Sequence, residues 1–200
     1  DQMLDMGFIK PLEEIVKLLI SERQTLLFSA TMPKLMEKLA ATFLKNPRKV
    51  QVSSSGKAVD KIDQKICYIA KSEKNNLLTE YISANKDDLI LVFMRTKSSA
   101  ERLLKSLEKK GFSAASIHGN KSQNQRDNAL KLFKQGKVKV LVATDVAARG
   151  IDIPDVSFVF NFDLPNVAEN YIHRIGRTAR AGKTGVSITF CAPDEMNMLK

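Results

Sequence analysis

Tryptophan is absent from the 200-residue sequence and aromatic residues make up only 6% of it, so a row of stacking rings is not what this composition offers a ligand. Cysteine is almost as scarce. Cys67 and Cys191 stand far apart without a metal-type spacing, which excludes a disulfide framework and a zinc site and leaves both as reduced packing residues. Long hydrophobic runs are missing too. The longest, Leu89 to Met94, falls far short of the ~20 residues that span a bilayer, and no basic-then-apolar signal peptide opens the chain. A cytoplasmic protein with no membrane partner is the expectation. Acidic charge is in deficit, with 22 Asp and Glu against 32 Lys and Arg, a net charge of +10. That surplus favours a polyanionic partner, although a solvated surface of helix lysines accounts for charge alone equally well.

What is present is an ordinary globular composition, 44% hydrophobic and 27% charged, which excludes disorder throughout and collagen. A mass of 22.3 kDa allows one domain, or one domain and a fragment of another. The chain starts at Asp1 without a methionine and reads as a piece of a longer protein. Leu12, Ile15, Val16 and Leu19 recur at helical spacing within Pro11 to Ile20, Thr25 to Ala30 is a short β-rich run, and Pro33 to Leu44 is helical again. Residues 51–61, rich in Ser, Gly and Lys, read as a linker between a partial α/β fragment (1–50) and a larger domain (62–200). In the larger domain, strand-like runs at Lys65 to Ala70, Leu89 to Phe93, Ala114 to Ile117, Val138 to Ala143, Ser157 to Phe160 and Gly185 to Phe190 are mostly separated by helical segments. Ser98 with Glu101, Ser122 with Gln125, and Asn166 with Glu169 are candidate helix-opening boxes, and Gly111 and Gly136 candidate stops. Such alternation implies an α/β fold, a parallel sheet wrapped by helices.

In an open parallel sheet, ligands bind beyond the carboxyl ends of the strands. Polar clusters come directly after several expected strands: Ser29-Ala30-Thr31, Arg95-Thr96-Lys97, His118-Gly119 and Thr144-Asp145. Singly, each is what a strand-to-helix turn or N-cap requires anyway. The segment from His173 to Arg180 is denser, with Arg174, Arg177 and Arg180 at intervals of three. Like charges so spaced repel on a helix, so the cluster is costly without an anion, and a guanidinium fork matches phosphate oxygens. A solvated basic helix end is the alternative. Gly182-Lys183-Thr184 imitates the end of a Walker loop, but the required first glycine falls on Arg177 and the segment precedes a strand instead of coming after one. Nothing else in the chain supplies that phosphate cradle.

Ser29-Ala30-Thr31, the stretch from Ala143 to Asp152 (A-T-D-V-A-A-R-G-I-D), and His173 to Arg180 together resemble the ordered motifs of the DEAD-box ATP-dependent RNA helicases. The opening Asp1 to Phe8 is similar to the end of that family's D-E-A-D box and the residues just beyond it, with Asp1 as the last aspartate. The likeness spans essentially the whole chain, within it resembling the bacterial RhlE-like subgroup. It implies a RecA-like, doubly wound parallel sheet with helices on both faces in the larger domain, preceded by the end of a first RecA-like domain. It also implies ATP and Mg2+ as cofactors, held mainly by that upstream domain, and RNA as a partner read with little regard to sequence.

The same resemblance implies roles. Asp152 receives the ribose hydroxyls, with Gly150 and Arg149 shaping that surface. Arg177 and Arg180 reach the γ-phosphate, Arg180 as arginine finger. His173 couples to the D-E-A-D box, while Ser29 and Thr31 bond to Asp1. Arg95, Thr96, Gly119, Gln123, Arg126 and Thr144 fall on RNA-backbone positions, and Phe93 and Phe133 belong to the core. One departure stands out: the family usually has glycine where Ala179 stands, so a positive φ there would strain the arginine loop, whereas a helix would welcome alanine. The expected activity is RNA-stimulated ATP hydrolysis coupled to local duplex unwinding in the intact protein, with this chain alone inactive for want of a Walker loop. Alternatives are a non-catalytic RNA-binding or partner-docking module, and a fragment that self-associates through residues 1–50.

Overall fold

The computed structural model describes residues 8–29, 32, 34–50, 61–180 and 182–199. It divides into two compact units, Asp1–Lys57 and Ala58–Lys200. In the first, helix α1 (Ile9–Leu18) and helix α2 (Lys34–Phe43) flank an extended stretch. The strand expected at Thr25 to Ala30 is not formed over its described residues. Leu26 and Phe28 stay exposed, so the run gains none of the burial that favours apolar residues in a strand. The expected linker lies, except for Lys61, outside the described residues.

The second unit is built on six strands: β1 (Ile62–Tyr68), β2 (Ile90–Met94), β3 (Ala114–Ile117), β4 (Val140–Thr144), β5 (Phe158–Asn161) and β6 (Gly185–Cys191). All pairings are parallel, in the order β1-β6-β5-β2-β4-β3. Between them run α3 (Lys74–Ala84), α4 (Lys97–Lys109), α5 (Gln123–Lys134), the short α6 (Asp145–Ala148) and α7 (Ala168–Ile175), with a 3-10 helix at Pro193–Leu199.

Period-two alternation splits each central strand between two cores. Ile90, Val92, Met94, Val140 and Val142 pack with Leu78 and Ile82 of α3 and with Leu103 and Leu107 of α4. Leu91, Phe93, Leu141 and Ala143 point to the other side, against Ala129 and Phe133 of α5 and Ala148 of α6. The sheet is thus doubly wound. β1 begins three residues earlier than its apolar run suggests, because an edge strand half-open to solvent has a weak hydrophobic signature. Cys67 and Cys191 lie on neighbouring strands, but Cys67 pairs with Phe190 and Cys191 with Tyr68. One register apart, the thiols face opposite sides of the sheet.

Two of the three expected helix openings are corrected. Helix α4 is capped by Thr96, whose hydroxyl accepts from Ser99 N at 3.1 Å in a reciprocal box, and not by Ser98. Glu101 turns instead toward His118 and Lys121. Helix α7 starts after Val167, which is extended and makes no side-chain cap, so neither Asn166 nor Glu169 closes a box there. Ser122 and Gln125 do form theirs on α5. Gly111 and Gly136 come after α4 and α5 at φ +83° and +68°, left-handed stops that a Cβ would oppose.

Candidate functional site

The strand order reverses between β2, whose connection runs toward β3, and β5, whose connection runs toward β6, which opens the crevice where such sheets take ligands. Arg174 organises this end. Only 1% exposed, it forms a forked ion pair with Asp145, Nε to Oδ1 at 2.6 Å and Nη2 to Oδ2 at 2.8 Å. Its Nη1 donates to Asn161 Oδ1 and to the Asp163 carbonyl, and its guanidinium lies 5.1 Å from the centre of the Phe93 ring. One arginine of the cluster is therefore structural. It ties α7 to the carboxyl ends of β4 and β5, and the reading of all three arginines as anion ligands is corrected to that extent, because Asp145 already supplies its countercharge.

The other two behave differently. Arg177 is half-buried and donates from Nη1 to the Ile151 carbonyl at 3.2 Å, while Arg180 donates from Nε to Gly176 O and from Nη1 to Ile153 O. Neither forms an ion pair among the described residues. Burial and the neighbouring positive charge of Arg180 pull the Arg177 pKa down, opposed by Asp152. Asp152 sits in the same field: a hydrogen bond from Lys134 Nζ at 2.7 Å, and then the positive charges around it, hold its carboxyl below the usual range. Its side chain is 86% exposed, so the carboxylate stays open to a ligand. Gly150 at φ +65° turns the chain between Arg149 and Asp152, a conformation that asks for glycine.

His173 and Arg149 line a narrow crevice with Arg174, Arg177 and Asp145. Burial, then the charges of Arg149 and Arg177, lower the His173 pKa, so near pH 7 its imidazole is a neutral hydrogen-bonding group. Arg149 Nη2 donates to Asn170 Oδ1 at 2.7 Å. A separate groove of about 800 Å³ crosses the opposite, amino ends of β1, β5 and β6, where Asp155 and Lys183 line it beside the loop that carries Arg180.

The residues expected to meet RNA cluster at the carboxyl side of β2, β3 and β4. Arg95 comes directly after β2, and its guanidinium is shared among Leu164 O, Glu195 Oε1 at 3.1 Å and Met198 Sδ, leaving the side chain 36% exposed. The Thr96 hydroxyl and amide are both committed to its capping box, and Thr144 is buried at the end of β4. Gly119 is exposed, and a Cβ added there meets nothing. Gln123 and Arg126 bond to each other on α5, with Arg126 Nη2 donating to Ala147 O and its Nε buried without a partner among the described residues. Ser29 is half-buried in the first unit, whereas Asp1 and Thr31 lie outside the described residues. Phe93 and Phe133 are in the core.

Two supporting networks carry no signal in the sequence. Lys74, 1% exposed, donates to the Phe162 and Phe190 carbonyls and pairs with Glu195, which also holds Arg95. The partners are too far apart in the chain for spacing to reveal them. Glu101 gathers His118 Nε2 at 2.9 Å and Lys121 Nζ at 3.0 Å, which brings its pKa down to about 2. Among the described residues no three His, Cys, Asp or Glu side chains are grouped to hold a metal, and no helix is long and apolar enough to cross a membrane.

Residues 73–182 match the model of the helicase conserved C-terminal domain. The chain is 46% identical over 200 residues to the DEAD-box ATP-dependent RNA helicase CshA of Bacillus licheniformis, covering all of this chain and 41% of that protein. It is 46% identical over 179 residues to the pre-mRNA-splicing ATP-dependent RNA helicase PRP28 of Pyricularia oryzae, covering 88% of this chain and 27% of that one. Among solved structures, S. cerevisiae Dbp5 bound to RNA and ADP BeF3 superposes with a TM-score of 0.85 at 33% identity, covering 96% of this chain and 51% of the other. The chain spans about two-fifths of the length of the CshA relatives.

Proposed function

Because the chain belongs to the helicase conserved C-terminal domain family, as the C-terminal RecA-like domain of a DEAD-box RNA helicase, we propose that it supplies one half of a composite ATP and RNA site. The observation that carries this reading is the pair Arg177 and Arg180. Two half-buried guanidinium groups held near one another, with only backbone carbonyls as side-chain partners among the described residues, are an arrangement that an added polyanion stabilises. ATP fits that donor set and supplies the phosphoanhydride that is cleaved. Arg180 then meets the γ-phosphate as arginine finger, Arg177 neutralises charge beside it, and Asp152 accepts from the ribose hydroxyls. Arg149 and Gly150 shape the wall, and neutral His173 relays hydrogen-bonding state toward the upstream domain. Mg2+ is held by that domain and the nucleotide.

RNA lies across the carboxyl edge of the sheet, on Arg95, Thr96, Gly119, Gln123, Arg126 and Thr144. Hydroxyls, backbone amides and guanidiniums suit phosphates and 2′-hydroxyls, giving contact that distinguishes RNA from DNA while leaving sequence nearly unread. Strand separation results when both ligands bridge the two RecA-like domains and favour a closed state that a duplex cannot enter.

The test is RNA-stimulated ATP hydrolysis by the intact protein with its upstream domain. Arg180→Ala is expected to lower turnover by roughly 10³ to 10⁵, the contribution of such fingers in other nucleoside triphosphatases. Unchanged turnover rejects the assignment.

A further inference from the structure

The loop carrying Arg180 rests on the segment just before β5. Ile153 and Val156, 0% and 2% exposed, pin that segment into the core, and Val156 N donates to Arg177 O while Thr178 Oγ1 donates back to Val156 O. Beyond Thr178 the chain takes a left-handed turn at Ala179, φ +57°, where an L-residue with a Cβ is strained. That turn aims the next amide, Arg180 N–H, at Asp155 Oδ1, 3.1 Å away. The other oxygen of the same carboxylate faces Lys183 Nζ at 3.7 Å, and Lys183 N donates to Arg180 O to close the loop. The loop has no room to shift toward β6 either, since a Cβ at Gly185 would collide with the Thr178 side chain and lie 2.8 Å from Ala179 N.

We propose that Asp155 is a positioning residue for ATP hydrolysis: by accepting from Arg180 N–H it holds the strained Ala179 turn in place and fixes the point from which the Arg180 side chain projects. This rests on Arg180 facing the γ-phosphate. A conformation that alanine disfavours persists only when its surroundings over-determine it, and Asp155 is the side chain that bonds the peptide immediately after the strained residue. Arg180 keeps its Nε and Nη1 bonds to Gly176 and Ile153 carbonyls, so its Nη2 is the donor left for phosphate among the described residues. The direction of that donor depends on where the backbone holds the Cα. Asp155 touches neither substrate nor metal, so its effect belongs in turnover and not in affinity.

The experiment compares Asp155→Ala, Asp155→Asn and Arg180→Ala in the intact helicase, measuring kcat and KM for ATP at saturating RNA, together with RNA affinity. Asp155→Ala is expected to lower kcat by between about tenfold and a hundredfold, with KM within about threefold of the parent, as for a misplaced catalytic group. Asp155→Asn recovers most of that loss, because its amide oxygen still accepts from Arg180 N–H. Asn as slow as Ala would overturn the acceptor role, and so would a parallel loss of kcat, KM and RNA affinity, which marks general damage. An inactive Arg180→Ala beside a fully active Asp155→Ala overturns the role of Asp155 alone, whereas an active Arg180→Ala removes the finger assignment on which it stands.

Discussion

Ala179 shows how one methyl group carries both strain and information. The motif raised two conditions, a positive φ that alanine would oppose and a helix that it would favour, and the backbone meets the first. Holding an L-residue left-handed costs about 1–2 kcal/mol, against which glycine gives back about 0.5–1 kcal/mol through unfolded-state entropy. Ala179→Gly is therefore expected to stabilise the domain by roughly 0.5–1 kcal/mol, read as a higher urea midpoint at unchanged m. Gly119 runs the opposite way. Its φ lies outside the left-handed range and a Cβ there meets open space, so nothing in the fold demands glycine. Gly119→Ala should leave stability unchanged or raised by about 0.4–1 kcal/mol while weakening RNA binding, because the backbone can no longer approach a phosphate as closely. An unaltered RNA affinity would remove Gly119 from the contact surface. What the sequence could not disclose at this scale was the different fate of Arg174. Three arginines at equal spacing look alike until the chain folds, and only the distant Asp145 and Asn161 decide that one of them is interior.

Elements were legible where their signals are local. The apolar cores of β2 to β6, the Ser122 box and the glycine stops depend on neighbours in the chain, and each was readable. Failures arose where the outcome turns on residues distant in the chain: Glu101 left its presumed cap for His118, and the run at Thr25 to Ala30 forms no strand over its described residues. Helix α7 illustrates the point energetically, since it has no side-chain N-cap and is secured from its far end by Arg174. Asp145→Ala would strand a guanidinium that is 1% exposed and is expected to cost about 3–5 kcal/mol of unfolding free energy. Arg180→Ala, which gives up only bonds to backbone carbonyls, should cost about 1 kcal/mol. Equal losses in urea unfolding would contradict the division between a structural and a ligand-facing arginine. The Glu101 cluster adds a pH signature. Its folded pKa of about 2 lies below the ordinary 4.5, so folding favours the ionised form. That stabilisation is complete above about pH 4.5 and is lost as pH falls toward 2. Glu101→Gln should therefore flatten the stability decline between pH 5 and pH 3 by about 1 kcal/mol, a value discounted for a carboxylate one-third exposed to solvent.

At the scale of the whole molecule, the net charge of +10 predicts contact with a polyanion but says nothing about where. The structure narrows that choice by committing particular cations internally: Arg174 to Asp145, Lys74 to Glu195 and Lys134 to Asp152. Charges so neutralised release no counterions when nucleic acid binds. RNA affinity should therefore fall with salt much less steeply than thirty-two basic side chains would suggest. A plot of log affinity against log salt for single-stranded RNA has a slope of roughly −0.7 per phosphate neutralised. If Arg95 and Arg126, with the amides around Thr96 and Gly119, make the phosphate contacts, only the two arginines contribute to that slope, because neutral amides bind phosphate without displacing an ion. A slope of about −1 to −2 is then expected for the isolated chain, reduced by about 0.7 in Arg126→Ala. Steeper dependence, on the order of −4 or more, together with no change in Arg126→Ala, would mean that the lysine-rich helix surfaces bind RNA in place of the carboxyl edge of the sheet.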